Sequence, residues 1–399
     1  MSSRREPTPP SERIVSIDVL RGFALLGILL INVWVFAMPE VTLSNPTVYG
    51  DFSGANYAAW FASHVLAEGK MISIFTLLFG AGVLLFTENK PGNAIGLFQR
   101  RNAWLLVIGL AHAYLLWYGD ILVTYALCGF AVVYIREWPA RTQISVGIAL
   151  LAIISVSELA VAISVGEDAI RAQWEPTTAA LQSEIETYRS GWLAQMDHRV
   201  PTSFRRQTSG FIGYSAWRVG GLMAIGMGLY KSGVLTNERS AREYRRLALA
   251  SGTFGFAMVL AGVWYITAAD WSAGAALYFR QFNHWGSLFV AVCYVSGIML
   301  FCRRWGEGIV AGALAAVGRT ALSSYLLQTV LATLIFYGHG LGLFGSVSRV
   351  EMLGVVGVIW AVQLPLSVLW LRYFRFGPIE WLWRTATYGE RQPLRKERS

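Results

Sequence analysis

Long apolar runs broken by short polar stretches dominate the chain, and their spacing predicts membrane-crossing helices of about 20 residues each. Ten such runs are placed near 14–36, 68–87, 101–118, 120–136, 142–165, 208–231, 247–267, 284–302, 319–338 and 351–373. The predicted fold class is therefore all-α: a single polytopic membrane domain over 1–399, with about ten transmembrane helices. The first run, Arg13 to Val35, contains RIVSIDVLRGFALLGILLINV and carries Asp18, Arg21 and Asn32 inside an otherwise apolar span. At about 100° per residue these three fall within roughly 60° of one another, so one stripe of the helix is polar from end to end. Such groups must face protein, water or a ligand, because a mid-bilayer charge costs roughly 2.5–3.5 kcal/mol on insertion scales. Asp18 and Arg21, at i and i+3, also have the spacing of a simple ion pair that pins a neighbouring helix.

Composition agrees with the pattern: of 399 residues 55% are hydrophobic and only 14% charged, against about 25% charged in a soluble protein. The net charge of +9 interleaves with apolar segments, which assigns it to cytoplasmic loops and anionic lipid headgroups and not to nucleic acid. Cys128, Cys293 and Cys302 have no metal or disulfide spacing and read as small buried hydrophobes. No cleavage signature follows the basic, proline-rich start, so the first span is expected to be retained.

Arginine and lysine then set the orientation. Arg4, Arg5 and Arg13, then Lys90, Arg100 and Arg101, then Arg136 and Arg141, then the cluster from Lys231 to Arg246, then Arg303 and Arg304, and finally the tail from Arg372 to Arg398, all fall on one side. That side is read as the cytoplasm, so both termini are expected on the cytoplasmic face of a cell (inner or plasma) membrane. The longest opposite segment, 166–206, includes AALQSEIETYRSGWLAQM, whose pattern allows an amphipathic helix acting as a lid; a solvated loop is the alternative.

With that orientation the intramembrane polar residues sort into two layers. The outer layer holds Asn32, Glu68, Lys70 and His112, with Asp120 at a tight turn; His64 lies nearby and Arg218 sits mid-span in a glycine-rich helix. Glu68 and Lys70 have the look of a charge pair. Eight residues part His112 from Asp120, some 12 Å along an unbroken helix, so direct contact requires a bend at Gly119. The inner layer holds Asp18, Arg21, Arg319, Glu380 and Arg384, and the interfacial tail 374–399 contains a tryptophan-rich helix after Gly377 and Pro378. Arginine forks at an inner mouth suit phosphate or diphosphate, with lipid phosphate as the alternative ligand. No nucleophile elbow, zinc spacing or phosphate loop accompanies them, and no metal site is expected.

The motifs SIDVLRGFALLGILLINV, LSNPTVYG, GKMISIFTLLFGAG, HAYLLWYGDIL, GRTALSSYLLQTVL and RYFRFGPIEWLWR together resemble the YeiB family of bacterial inner-membrane proteins, long known as a domain of unknown function, with its signature region at 235–392. That family is similar to transmembrane acyltransferases such as the lysosomal heparan-α-glucosaminide N-acetyltransferases. The resemblance implies transfer of an acyl group, acetyl among them, from cytoplasmic acyl-coenzyme A to a hydroxyl or amine at the outer side. Arg319, Arg21 and Arg384 would hold the coenzyme phosphates and Asp18 would orient Arg21. His112, oriented by Asp120, would act as base, and Asn32 would donate to the oxyanion. Their catalytic histidine follows the first span, where His64 is the loose counterpart; the YeiB-type motif points to His112. Ser324 stands where the family often has asparagine. Expected partners are membrane lipids, acyl-coenzyme A and an acceptor, and a homo-oligomer stays open. The competing reading is a small-molecule transporter whose polar stripe lines a path, and a third is a non-catalytic receptor or assembly factor.

Overall fold

A computed structural model describes residues 14–88, 92–164 and 167–396. Arg4, Arg5, Arg13, Lys90 and Arg398, counted above in the charge pattern, lie outside them. Among the described residues every regular element is a helix, with a single isolated bridge between Phe374 and Arg395 and no strand. This all-α polytopic membrane protein places the first described residues and the segment 374–396 at the same end of its bundle, since Ile14 and Arg375 line one cavity.

Helices α1 (Val15–Ala37), α2 (Gly54–Leu66), α3 (Lys70–Glu88), α4 (Ala94–Ala111), α5 (Leu122–Val132) and α6 (Ala140–Ser164) make the first half. A cap of three short helices follows: α7 (Glu167–Trp174), α8 (Thr178–Arg189) and α9 (Met196–Gln207). The second half comprises α10 (Ala216–Lys231), α11 (Ala241–Ala268), α12 (Ala273–Trp305), α13 (Ile309–Arg319), α14 (Ala321–Phe336), α15 (Arg349–Tyr373) and α16 (Pro378–Tyr388).

By length and apolarity alone six spans qualify, with α2 and α3 counted together, and the pair α13–α14, bent by 84°, makes a seventh. The ten runs of the sequence reading also include α4, α5 and α10, which are too short or too polar to qualify by themselves but pack into the bundle: α10 lies against α6 and α3, and α4 against α5. Helix α2 was not anticipated. It ends at Leu66, and a turn through Gly69, whose φ of +76° only glycine adopts readily, separates it from α3.

Two glycines decide where α1 sits. A Cβ on Gly22 would lie 1.9 Å from the Leu314 carbonyl oxygen, and one on Gly318 would lie 1.9 Å from that of Asp18. Backbones of α1 and α13 therefore touch, the small-residue contact expected of helices in lipid. The contact brings Asp18 and Arg21 alongside Arg319.

The 84° bend has an identifiable cause as well. Buried Glu380 on α16 accepts the backbone N–H groups of Leu322 (2.7 Å) and Ser323 (3.1 Å) and the Ser323 hydroxyl, so a carboxylate supplies the acceptors that a continuous helix would provide. A negative charge is also favoured at a helix N-terminus.

The cap is folded onto the bundle. Tyr188 is fully buried and stacks with Tyr337 and Phe344, while Arg189 donates to the Phe344 carbonyl at 2.7 Å. The expected single amphipathic helix over 179–196 is split: α8 stops at Ser190, whose extended backbone breaks the run ahead of α9.

Candidate functional site

At the end of the bundle that carries Ile14 and the 374–396 segment, a cavity of about 330 Å³ opens between α1, α3, α4, α13, α14 and α16. Its mouth gathers Asp18, Arg21, Arg319, Glu380 and Arg384, all singled out by the sequence, together with Arg101 and Arg375, which were not. Asp18 pairs with Arg21 at 2.9 Å, and Arg21 also donates to the Gly318 carbonyl at 3.3 Å. The pair thus both pins α13 and faces the cavity. Arg101 stacks on Phe86 and Trp383, and Arg384 on Phe376, which orients two guanidinium planes. Glu380 is held to the backbone of α14, and burial pushes its carboxyl pKa upward. Further in, the walls turn apolar, with Phe75, Leu78, Phe79, Leu105 and Tyr125, and the cavity reaches Tyr325.

Tyr325 stands between this cavity and a buried polar centre. Its ring lies 5.0 Å from that of His112, which is only 2% exposed and does not line the cavity. His112 Nδ1 lies 2.7 Å from Asp120 Oδ2, and Asp120 Oδ1 accepts the Val123 N–H at 2.8 Å, capping α5. Contact across eight residues is made by a π-helical turn over His112–Leu116 followed by the turn that ends at Asp120, so the bend begins at His112 itself and not at Gly119 alone. The imidazole's other nitrogen lies 3.0 Å from Thr329 Oγ1, a partner the sequence reading missed. With Nδ1–H donated to the carboxylate, Nε2 is left as the acceptor of a hydroxyl. Asn32 is half-buried on α1, and among the described residues no hydrogen bond joins it to His112 or Asp120.

The remaining candidates form a separate cluster around α2, α3, α10 and α12. His64 is stacked between Trp60 and Phe279 and binds Glu68 Oε2 through Nδ1 at 2.6 Å. Fully buried Lys70 donates to the His64 carbonyl and to Asn283 Oδ1, each at 2.7 Å, so the expected Glu68–Lys70 pair is replaced. His64 takes the Glu68 carboxylate instead, and the ammonium is turned to these two oxygens. Arg218 reaches His284 Nδ1 at 2.8 Å. No group of three or more potential metal-ligating side chains occurs among the described residues.

A family model described as "Protein of unknown function (DUF418)" matches residues 229–390. The chain is 32% identical over 380 residues to the uncharacterized protein YeiB of Escherichia coli (strain K12), covering 94% of this chain and 96% of that one. It is likewise 32% identical over 415 residues to the uncharacterized protein YxaH of Bacillus subtilis (strain 168), with 99% of each chain covered. An uncharacterized 39.9 kDa protein from the amylase 3' region of Bacillus acidopullulyticus is 24% identical over 404 residues, with 98% of each chain covered. Identity of this extent along the whole length places the chain in the YeiB (DUF418) family.

Proposed function

We propose that the protein is an acyltransferase of the cell (inner or plasma) membrane that takes an acyl group, acetyl among the candidates, from cytoplasmic acyl-coenzyme A and delivers it to a hydroxyl or amine acceptor on the far side. One observation carries the reading: a cavity with five arginines at its mouth and an apolar inner wall stops one aromatic ring short of a buried His–Asp pair. The mouth suits the phosphates of the coenzyme, the apolar wall suits its thioester arm, and the imidazole beyond suits proton abstraction from the acceptor.

In this reading Arg21, Arg101, Arg319 and Arg384 bind and orient the phosphates, and Asp18 fixes the Arg21 fork. Asp120 holds His112 in the tautomer whose Nε2 can take a proton, and Thr329 occupies that nitrogen until the acceptor hydroxyl displaces it. Asn32 is the remaining candidate donor to the thioester oxygen. The acceptor oxygen or nitrogen bonds to the acyl carbon as the carbon–sulfur bond breaks, and the abstracted proton passes from His112 to the departing thiolate. Chemistry so buried requires Tyr325 to move when the acyl arm enters.

The test is binding of acetyl-coenzyme A and longer acyl analogues to purified protein in nanodiscs, comparing wild type with Arg319→Ala and His112→Ala. Saturable binding weakened by the arginine change and kept by the histidine change supports separate coenzyme and chemical layers. Absence of binding to every analogue by folded protein rejects the proposal and favours a transporter, to be pursued by flux assays.

A further inference from the structure

The turn that aims His112 is held from outside the bundle. Three side chains of the cap converge on two backbone carbonyls of the π-helical turn His112–Leu116. Arg199 Nη1 donates to the Leu115 carbonyl at 3.0 Å, Trp192 Nε1 donates to the same oxygen at 2.8 Å, and Ser203 Oγ donates to the Ala113 carbonyl at 3.0 Å. These are the carbonyls left without helical partners where α4 ends, the position at which a helix carries its negative pole and attracts a cation. Arg199 is wholly buried there, and its other terminal nitrogen is fixed by Gln195 Oε1 at 2.7 Å. Gln195, equally buried, is anchored to the Tyr188 and Ser190 carbonyls. An unbroken run of hydrogen bonds thus leads from the end of α8 through Gln195 and Arg199 to the turn that bears the imidazole.

We infer that Arg199 is a positioning residue: through the Leu115 carbonyl it clamps the turn that holds His112 against Asp120 and Thr329, so that the cap on the far side governs the geometry of the buried centre. The inference rests on the acyltransferase reading only for its effect on turnover; the clamp itself is a claim about geometry. It assigns the cap a role beyond covering the bundle. Loss of the clamp lets the carbonyls seek other donors and the imidazole leave its partner, whereas the arginine-lined cavity at the opposite end keeps its shape.

The experiment uses the full chain in nanodiscs with isotope-labelled histidine. The imidazole N–H proton bonded to Asp120 is assigned by its loss in His112→Gln, then followed in Arg199→Gln, in Arg199→Lys, which restores a cation, and in the milder Trp192→Phe, alongside unfolding midpoints. Turnover of acetyl-coenzyme A is measured on the same samples. Expected is a broadened or missing resonance in Arg199→Gln, recovery in Arg199→Lys, and a kcat about a hundredfold lower with an unchanged KM for the coenzyme, the scale of an ångström-sized misplacement. If Arg199→Gln does not fold, Trp192→Phe must show the same broadening in smaller degree. A resonance that stays sharp in folded variants overturns the inference, and so does a KM that rises in step with a falling kcat. A clamp-dependent resonance in a protein that turns over no acyl donor keeps the clamp and rejects the acyltransferase reading.

Discussion

Adding one methyl group at Gly22 should loosen the junction that assembles the arginine mouth. The new Cβ would stand 1.9 Å from the Leu314 carbonyl oxygen, and ordinary contact begins at 3.4 Å, so α1 and α13 must part by about 1.5 Å. That displacement takes Arg21 Nη1 and the Gly318 carbonyl, now 3.3 Å apart, out of hydrogen-bonding range. Overpacking costs about 1–3 kcal/mol, towards the upper end where the obstacle is backbone. Alanine returns about 0.5–1 kcal/mol of helix propensity, leaving a net loss of about 2 kcal/mol, or roughly thirtyfold in the folding equilibrium. Gly312 supplies the control: it lies on α13 too, and a Cβ there meets nothing within 4 Å. Heating detergent-solubilised Gly22→Ala and Gly312→Ala while following the monodisperse fraction should show a lower midpoint for the first and an equal or higher one for the second. Affinity for acetyl-coenzyme A should fall with Gly22→Ala alone. Equal midpoints for the two variants would refute the close-approach argument, whatever the ligand data show.

Burial, with a lesser push from the charge of Glu40, raises the Glu184 carboxyl to about 7 from its ordinary 4.5, against the opposing hydrogen bond from the Glu40 N–H. The folded cap therefore holds a proton that the opened cap releases between those values. Its stability should be greatest below about pH 4.5, decline through that window and level off above about 7. Glu40, Tyr188 and Tyr337 are the ionisable groups coupled to Glu184, while His198 on α9, held below its ordinary value by burial, gains stability as pH rises and offsets part of the decline that Glu184 causes. Limited proteolysis of 167–207 across pH 5–8 should reveal the decline, and Glu184→Gln should flatten it. Glu380→Ala leaves the Leu322 and Ser323 amides without their acceptor and should lower stability by about 1–3 kcal/mol per orphaned group; a midpoint equal to wild type would remove Glu380 as the cause of the bend. Tyr325→Ala should admit longer acyl analogues by joining the cavity to the His112 centre, read as a shift in the preferred chain length.

How far the fold was legible depended on whether a feature was written locally. Apolar runs located nearly all the long helices, and charges within such runs are rare enough that Asp18, Arg21, Arg319 and Arg384 drew notice and in fact share one cavity. Arg101 and Arg375 escaped notice because a basic residue at a helix end is already explained by membrane orientation. Thr329 was invisible for a different reason: threonines are common in apolar helices and usually bond their own backbone, so only the approach of His112 distinguishes it. The break at Thr320 carries no proline, and its cause, Glu380, lies 58 residues beyond Leu322. Cap contacts to the turn over 112–116 join residues 77 to 90 positions apart, beyond any helical period.

The bend between α13 and α14 also bears on how the protein is made. Glu380, which supplies the acceptors for the start of α14, belongs to a helix that follows the whole of α15 in the chain. While the polypeptide emerges, α13 and α14 enter the bilayer before their partner exists, and a straight helix satisfies their amides best. The elbow must form after insertion, when α16 reaches the membrane surface and captures the free amides. A chain terminated before Pro378 would consequently keep α13 and α14 as one straight helix, with Arg319 carried away from Arg21. Docking of α16 is therefore the step that completes the elbow, because the acceptors for the first amides of α14 arrive only with it.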